Sequence, residues 1–154
     1  MMRIIVASDS HGHNEILDTI YDQHPETSLF LHCGDLCDDP RNYPNWLFVL
    51  GNNDFWGEFP NRRILSVGTH RLFMEHSHRC SFFHREDDLV RLAKGHACDI
   101  VCFGHTHRSY IEKRKGVFLL NPGSTWMSRD GNPPSYAILD VDTSISAQIV
   151  FLDQ

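Results

Sequence analysis

Long hydrophobic runs are missing from this sequence. The first apolar stretch, residues 4–7, is four residues long and ends in polar residues. A secretory signal peptide needs about 7–15 apolar residues and a membrane-spanning helix about 20. We therefore expect a cytoplasmic protein with neither a signal peptide nor a membrane partner.

Cysteine and basic residues are also scarce. The five cysteines are odd in number, widely spaced and without a CxxC pair, which indicates reduced thiols rather than a disulfide framework. Lysine and arginine together number 14 against 20 acidic residues, giving a formal net charge of −6. Proteins that bind nucleic acid through its phosphates usually carry a basic surplus. We therefore do not expect long nucleic acid as a partner.

Histidine, in contrast, is abundant, with 11 residues in a chain of 154. It is a common metal ligand and acid–base group. The length suits one domain, residues 1–154, and the apolar content of 41% is ordinary for a globular protein. So many imidazoles in one such domain suggest a functional site.

The order of apolar segments predicts an α/β fold. Buried strands are predicted at 3–8, 28–33, 46–50 and 99–103, and helices at 14–24 and 85–95. Antiparallel pairs are predicted for 63–67 with 71–75, 109–112 with 117–121, and 136–141 with 145–152. The connection 37–45 contains two prolines and looks too short for the helix of a parallel crossover. It is the weakest point of the predicted topology.

Polar clusters follow directly after the predicted strands. They contain two aspartates, four histidines and one asparagine: Asp9, His11, Asp35, Asn52, His76, His105 and His107. In an open α/β sheet the carboxyl ends of the strands meet at one edge, where sites form. We therefore expect these side chains to converge.

Seven ligands exceed the four of a tetrahedral zinc site and suit two divalent ions that share a carboxylate. Asp35 is the expected bridge, because it lies in the chain between two other polar loops. The mixed nitrogen and oxygen donors fit manganese, iron, cobalt, nickel or zinc. Two such ions about 3.5–4 Å apart lower the pKa of bound water and clamp the oxygens of a phosphoryl group.

Each cluster alone also has an ordinary explanation. A single Asp-x-His is more often a helix N-cap beside a surface histidine, and GD at 34–35 and GNND at 51–54 are typical turns. GHTH at 104–107 is harder to explain by packing, since both histidines follow a buried strand directly. The joint occurrence of all the clusters favours a metal site.

These motifs resemble those of the calcineurin-like metallophosphoesterases, specifically the small YfcE-type branch. DSHG at 9–12, GD at 34–35, GNND at 51–54 and GHTH at 104–107 match the family's signatures, and NPGS at 121–124 matches a segment of the branch. The resemblance covers nearly the whole chain. It implies a four-layer α/β/β/α sandwich of two mixed β-sheets flanked by helices, with a di-metal centre at one edge.

The resemblance also implies which residues hold each ion. One ion would take Asp9, His11, Asp35 and His107, and the other Asp35, Asn52, His76 and His105. These seven residues are the expected catalytic centre, and the expected cofactors are two divalent ions, with manganese first and nickel, iron, cobalt or zinc as alternatives. The match at His76 is the loosest, because the family usually has His-Gly-His where this chain has His-Ser-His. His78 is therefore an alternative ligand.

One departure from the family concerns proton transfer. Many relatives have histidine at the third position of GNxD, where it protonates the leaving group, whereas this chain has Asn53. An amide donates a hydrogen bond but transfers no proton near neutrality. His13 and His78 are the alternative acids, and Asp54 is expected to hold a loop or a ligand histidine. Esters with good leaving groups should react best.

The implied function is hydrolysis of small phosphate esters by a metal-bound hydroxide, and the resemblance alone favours phosphodiesters over monoesters. The alternative is a protein-binding scaffold, since a eukaryotic subunit of an endosomal sorting coat shares the implied fold; the complete ligand set favours the enzyme. A nuclease is a third alternative, against which the net charge of −6 counts. The family often forms oligomers, so a homo-oligomer is compatible with the resemblance.

Overall fold

The computed structural model describes residues 1–56 and 58–152, which form two α-helices and ten strands. In chain order these are β1 (Met2–Ala7), α1 (Glu15–Gln23), β2 (Leu29–His32), β3 (Leu47–Phe48), β4 (Arg62–Val67), β5 (His70–Glu75), α2 (Arg85–Gly95), β6 (Ile100–Cys102), β7 (Ser109–Arg114), β8 (Val117–Pro122), β9 (Ser135–Val141) and β10 (Ile145–Phe151). Both helices and all the strands lie at or within a few residues of the predicted positions.

The strands form two mixed five-stranded sheets. In the first, with the order β10-β9-β1-β2-β3, the last three strands run parallel and β9 is antiparallel to β1. In the second, with the order β4-β5-β6-β8-β7, the central three run parallel and both edge strands are antiparallel. The carboxyl ends of the parallel strands in each sheet therefore share one edge.

The two sheets pack against each other because alternate side chains of their strands are apolar. Ile4 and Val6 of β1 lie in one cluster with Leu72 and Met74 of β5, and every one of these side chains is fully buried. This cluster is the layer between the sheets.

The opposite faces of the sheets are covered by the helices. Ile5 of β1 packs with Leu17 of α1, and Phe73 of β5 packs with Leu89 of α2. The order of layers is therefore helix, sheet, sheet, helix, which confirms the predicted α/β/β/α sandwich. No helix among the described residues is long and apolar enough to cross a membrane.

The connection between β2 and β3 differs from an ordinary parallel crossover. It contains only a 3₁₀ helix, Pro40–Asn42, with Asp39 as its N-cap, yet β2 and β3 pair in parallel. The prolines and short length therefore exclude an α-helix without changing the direction of β3. The pairing is correspondingly brief, from Leu31 to Leu47 and from His32 to Phe48.

Candidate metal centre

All seven predicted ligands lie on turns that follow strands. Asp9 and His11 follow β1, Asp35 follows β2, Asn52 follows β3, His76 follows β5, and His105 and His107 follow β6. Five of them have left-handed backbone, with φ between 48° and 76°: Asp9, His11, Asp35, His105 and His107. Such values are uncommon outside glycine and concentrate at functional sites, where the surrounding fold must hold them.

The first group of ligand atoms surrounds Asp9. Its Oδ1 lies 3.4 Å from Nε2 of His107 and 3.8 Å from Nε2 of His11, and the two imidazole nitrogens are 3.1 Å apart. Nε2 of His11 also lies 3.4 Å from Oδ2 of Asp35. The four residues expected to hold the first ion are therefore in contact.

The second group surrounds Asn52 and His76. Oδ1 of Asn52 lies 3.0 Å from Nε2 of His76 and 3.1 Å from Nδ1 of His105. Nε2 of His76 is 3.4 Å from Oδ2 of Asp35. The four residues expected to hold the second ion are likewise in contact, and His105 presents Nδ1 rather than Nε2.

Two carboxylates, those of Asp9 and Asp35, lie close to imidazoles of both groups. Oδ2 of Asp35 is equally distant, at 3.4 Å, from His11 and His76, as its expected bridging position requires. Asp9 is also central, because its Oδ1 lies 3.7 Å from Nε2 of His76. Asp9 thus belongs to both triads of mutually close ligand atoms, with His11 and His107 in one and with Asp35 and His76 in the other. The resemblance placed it with the first ion only.

The ligand atoms fit divalent cations. Oδ1 of Asp9 is buried and has no hydrogen-bond donor within the described residues, whereas buried carboxylate oxygens normally have one. The donors are carboxylate and amide oxygens and imidazole nitrogens, which bind first-row divalent metals. The structure thus provides two adjoining Asp/His clusters suited to divalent ions.

Backbone carbonyls orient two of the imidazoles. Nδ1–H of His76 donates to the carbonyl of Cys33, and Nδ1–H of His107 to that of Met127, both at 2.7 Å. Since a carbonyl only accepts, Nδ1 of each ring carries a proton, and Nε2 is the nitrogen that faces the cluster. Contacts of this kind fix the ring orientation and raise the basicity of metal ligands.

The charged groups shift one another's pKa values. Burial raises the pKa of Asp35, but hydrogen bonding and the charge of His76 outweigh it and bring the value to about 2. Burial lowers the pKa of His76, but Asp9 and Asp35 outweigh it and raise the value to about 9. Burial also raises the pKa of Asp9, which the surrounding imidazoles nevertheless hold well below its usual value. The centre therefore keeps both carboxylates ionised, the state that binds metal.

The close approach of these loops requires glycine at two positions. A Cβ on Gly51 would lie 2.3 Å from the backbone nitrogen of Asp35, and one on Gly104 would lie 2.1 Å from Oγ of Ser8. Atoms in proteins do not come this close, so any side chain would separate the loops. This is the physical reason for glycine in the GNND and GHTH motifs.

Asn53 and Asp54 lie outside the two groups and act on Asp35. Asn53 donates to both of its carboxylate oxygens, from the backbone nitrogen at 2.9 Å and from Nδ2 at 3.0 Å. Asp54, which is buried, accepts hydrogen bonds from the backbone nitrogens of Asp35, Cys37 and Gly51. Of the two expected roles for Asp54, the described residues show the loop contact and no hydrogen bond to a histidine.

The remaining expected histidines lie beside the centre. His78 is not in either triad; its ring centroid is 5.5 Å from that of His76 and 6.3 Å from that of His105. Burial and the charge of His76 lower the pKa of His78. His13 is exposed and stacks on Trp126, with ring centroids 4.4 Å apart. His76, not His78, therefore contacts the carboxylates.

Sequence reasoning did not identify Trp126 as part of this region. Its ring lies 5.8 Å from that of His11, and Oγ of Ser124 accepts hydrogen bonds from the backbone nitrogens of Trp126 and Met127. Met127 in turn accepts from His107. The available signal was the NPGS match at 121–124, since this turn positions the segment that orients a ligand histidine.

Comparison with known proteins agrees with this geometry. Residues 2–144 match the family model of the calcineurin-like phosphoesterase superfamily domain. The chain is 33% identical to the probable metallophosphoesterase YsnB of Bacillus subtilis, over 99% of this chain and 92% of that protein. A predicted phosphoesterase of Streptococcus pneumoniae has a crystal structure that matches with a TM-score of 0.91 and 26% identity, over 97% of this chain and 89% of the other.

A structure of lower sequence identity shares the fold. The structure of Vps29 from Entamoeba histolytica, complexed with zinc, matches with a TM-score of 0.76 and 21% identity, over 97% of this chain and 98% of the other. This likeness shows the fold alone, whereas the family model and the Bacillus subtilis relative, which also cover almost all of this chain, show the family. The chain belongs to the calcineurin-like phosphoesterase superfamily and to its small YfcE/YsnB-type family.

Proposed function

We propose that this protein hydrolyses small phosphate esters with two divalent ions, and that phosphodiesters are preferred over monoesters. The observation that carries the proposal is the convergence of two ligand groups on Asp35, whose Oδ2 lies 3.4 Å from an imidazole of each group. Asp9, His11 and His107 would hold one ion with Asp35, and Asn52, His76 and His105 the other. Asp9 also lies within reach of the second.

Two ions at these positions would supply Lewis acidity for the phosphoryl oxygens and a nucleophile at neutral pH. The protein's part is to fix the ligands. Backbone carbonyls orient His76 and His107. Asn53 orients Asp35, and Asp54 holds the loops together. The mixed donor set fits manganese, nickel, iron, cobalt and zinc alike, and manganese is placed first on the family resemblance alone.

Proton supply to the leaving group is the weak part of this centre. The side chain of Asn53 is engaged with Asp35, and an amide carries no transferable proton near neutrality. His78 is half-buried and has a lowered pKa, so it is mostly neutral at pH 7. Esters with acidic leaving groups, which depart without protonation, are therefore the expected best substrates.

The shape around the second ligand group supports a diester. One cavity of about 270 Å³ includes His76 and His78 in its lining, and another of about 350 Å³ includes His105 and Thr106. They share no lining residue. A phosphodiester has two organic substituents on phosphorus, whereas a monoester has one. Two separate cavities beside the centre could each hold one substituent of a diester, which favours a diester over a monoester.

The test is hydrolysis of bis-p-nitrophenyl phosphate and p-nitrophenyl phosphate by metal-stripped protein to which manganese, nickel, cobalt, iron and zinc are added singly. Asp35→Asn should abolish turnover and metal binding. Asp140→Asn, the same change at a residue paired with Arg3, is the matched control and should retain both. Turnover of the diester that exceeds that of the monoester supports the full proposal. No turnover with any metal would contradict it, and a scaffold would then be the better explanation.

A further inference from the structure

The cavity next to His105 carries an excess of positive charge. Besides His105 and Thr106, its lining contains three arginines, one glutamate and one phenylalanine: Arg85, Arg108, Arg129, Glu86 and Phe82. We call this cavity the arginine pocket. Such a concentration of cations is unusual in a protein with a net charge of −6.

The three arginines lack the carboxylate partners that five of the other eight arginines of this protein have. Among the described residues, five arginines lie within 4 Å of a carboxylate oxygen: Arg3, Arg41, Arg62, Arg91 and Arg114. None of the three in the arginine pocket does so within the same part of the chain, not even toward Glu86. Their charge is therefore not neutralised within the described structure.

Arg85 is the most informative of them, because it is only 6% exposed. Its Nη1 donates to the carbonyl of Ser77 at 3.1 Å, but a guanidinium has five N–H donors. A cation taken out of water without a counter-charge is costly. A fold that keeps such a cation beside a metal centre indicates that an anion completes the site.

The other cavity beside the centre differs in this respect. It is lined by Arg62, Arg91, Glu75 and Asp88, and there Arg62 pairs with Glu75 at 3.4 Å and Arg91 with Asp88 at 2.9 Å. Two of its three arginines are thus already neutralised, and only Arg79 has no carboxylate within 4 Å among the described residues. If one substituent of a diester carries a negative charge, the arginine pocket is the better match for that substituent.

We propose that the arginine pocket binds a second phosphate group of the substrate, carried on one of the two substituents of the scissile phosphodiester. Arginine suits this role, since its planar fork binds phosphate oxygens in pairs. Phe82, whose side chain is 81% exposed at the edge of the pocket, offers an apolar surface to the organic part of that substituent. The role of this pocket in substrate hydrolysis rests on the proposed function, but its affinity for a bisphosphate does not.

The test uses two chromogenic diesters that differ by one phosphate: thymidine 5′-(p-nitrophenyl phosphate) and its 3′-phosphorylated form. The variant is the double substitution Arg108→Gln and Arg129→Gln, because both residues are exposed and their replacement leaves the contact between Arg85 and Ser77 in place. The control is Arg3→Gln, which removes one positive charge at the amino end of β1, the end of the strand away from Asp9.

We expect the 3′-phosphate to raise kcat/KM about tenfold or more in the native protein, as charge-assisted hydrogen bonds to one phosphate allow. The double variant should lose most of that advantage, and Arg3→Gln should keep it. An equal kcat/KM for the two diesters in the native protein, or an undiminished advantage in the double variant, would overturn the proposal.

Calorimetry separates this result from a failure of the hydrolase proposal. Thymidine 3′,5′-bisphosphate and thymidine 5′-monophosphate are titrated into the same three proteins loaded with manganese. If neither diester is hydrolysed, the function is wrong, and the pocket is judged on binding alone. About tenfold tighter binding of the bisphosphate that disappears in the double variant supports the pocket. Equal affinity for the two nucleotides refutes it.

Discussion

The side-chain amide of Asn53 donates a hydrogen bond to Oδ2 of Asp35 at 3.0 Å. The same oxygen lies 3.4 Å from Nε2 of His11 and from Nε2 of His76. Asn53 thus contacts the carboxylate that lies between the two ligand groups. It occupies the position at which the family resemblance implies a proton-donating histidine. From this contact we expect residue 53 to influence metal binding.

Asn53→Ala should weaken metal binding about 10–100-fold, the usual loss when a group that orients a metal ligand is removed. Without the amide, Asp35 retains the backbone hydrogen bond from residue 53 but gains freedom to rotate. Competition with a chromophoric chelator measures the affinity. Asn45→Ala, at an exposed asparagine, is the control and should match the native protein. An unchanged affinity in Asn53→Ala would show that Asp35 is oriented without this contact.

Asp54→Asn should destabilise the protein by about 1–3 kcal/mol, the cost of a buried donor without an acceptor. Both oxygens of Asp54 accept backbone hydrogen bonds, one of them from Asp35 and Gly51 and the other from Cys37. An amide has one oxygen, so in either orientation its NH₂ group faces a backbone N–H. Urea unfolding of the metal-free protein measures the loss. Asp39→Asn, at a residue that caps the 3₁₀ helix, is the control and should cost little, because asparagine caps a helix about as well as aspartate.

Much of the fold was predictable because local patterns dictate it. Alternation along β1 placed Ile4 and Val6 on one face and Ile5 on the other, and the ligands could be found because motifs follow the strands directly. The parallel pairing of β2 with β3 does not follow from the connection between them. It depends on contacts with the rest of the sheet and not on residues 37–45.

Relationships between loops distant in the chain could not be predicted. That Asp9 reaches His76 as well as His107 depends on the separation of the two sheets, which no local pattern encodes. The grouping of three arginines in one pocket could not be predicted for the same reason. They lie far apart in the chain, at 85, 108 and 129, and only the fold brings them together.

The stability of the protein should depend on pH through His70. Its hydrogen bond with Asp99 raises the pKa of His70 above the usual value, and the carbonyl of Asp142 also accepts from this ring. A raised pKa in the folded state means that the stabilisation is fully present below the unfolded value of about 6.5. It is lost as the pH rises through the folded pKa.

The measurement is urea unfolding of the native protein and of His70→Gln at several pH values from 5.5 to 9. The difference in free energy of unfolding between them should be largest at the acidic end and shrink as the pH rises. Asp99→Asn removes the main cause of the raised pKa of His70. The free energy of unfolding should therefore differ between Asp99→Asn and the double variant Asp99→Asn/His70→Gln by an amount that is nearly independent of pH. A difference that grows with pH would contradict the assignment.

Glycine at position 51 should be essential for the metal centre. A Cβ there would lie 2.3 Å from the backbone nitrogen of Asp35, so Gly51→Ala must push the loop that carries Asn52 away from Asp35. We expect the loss of tight metal binding and destabilisation of about 1–3 kcal/mol, the usual cost of overpacking. Gly95→Ala is the matched control, because no atom lies within 4 Å of its Cβ position and alanine favours the end of α2 by up to about 1 kcal/mol. Chelator competition measures the metal affinity of both variants, and urea unfolding measures their stability. Native-like metal affinity in Gly51→Ala would mean that the close approach of the two loops is not needed to form the site.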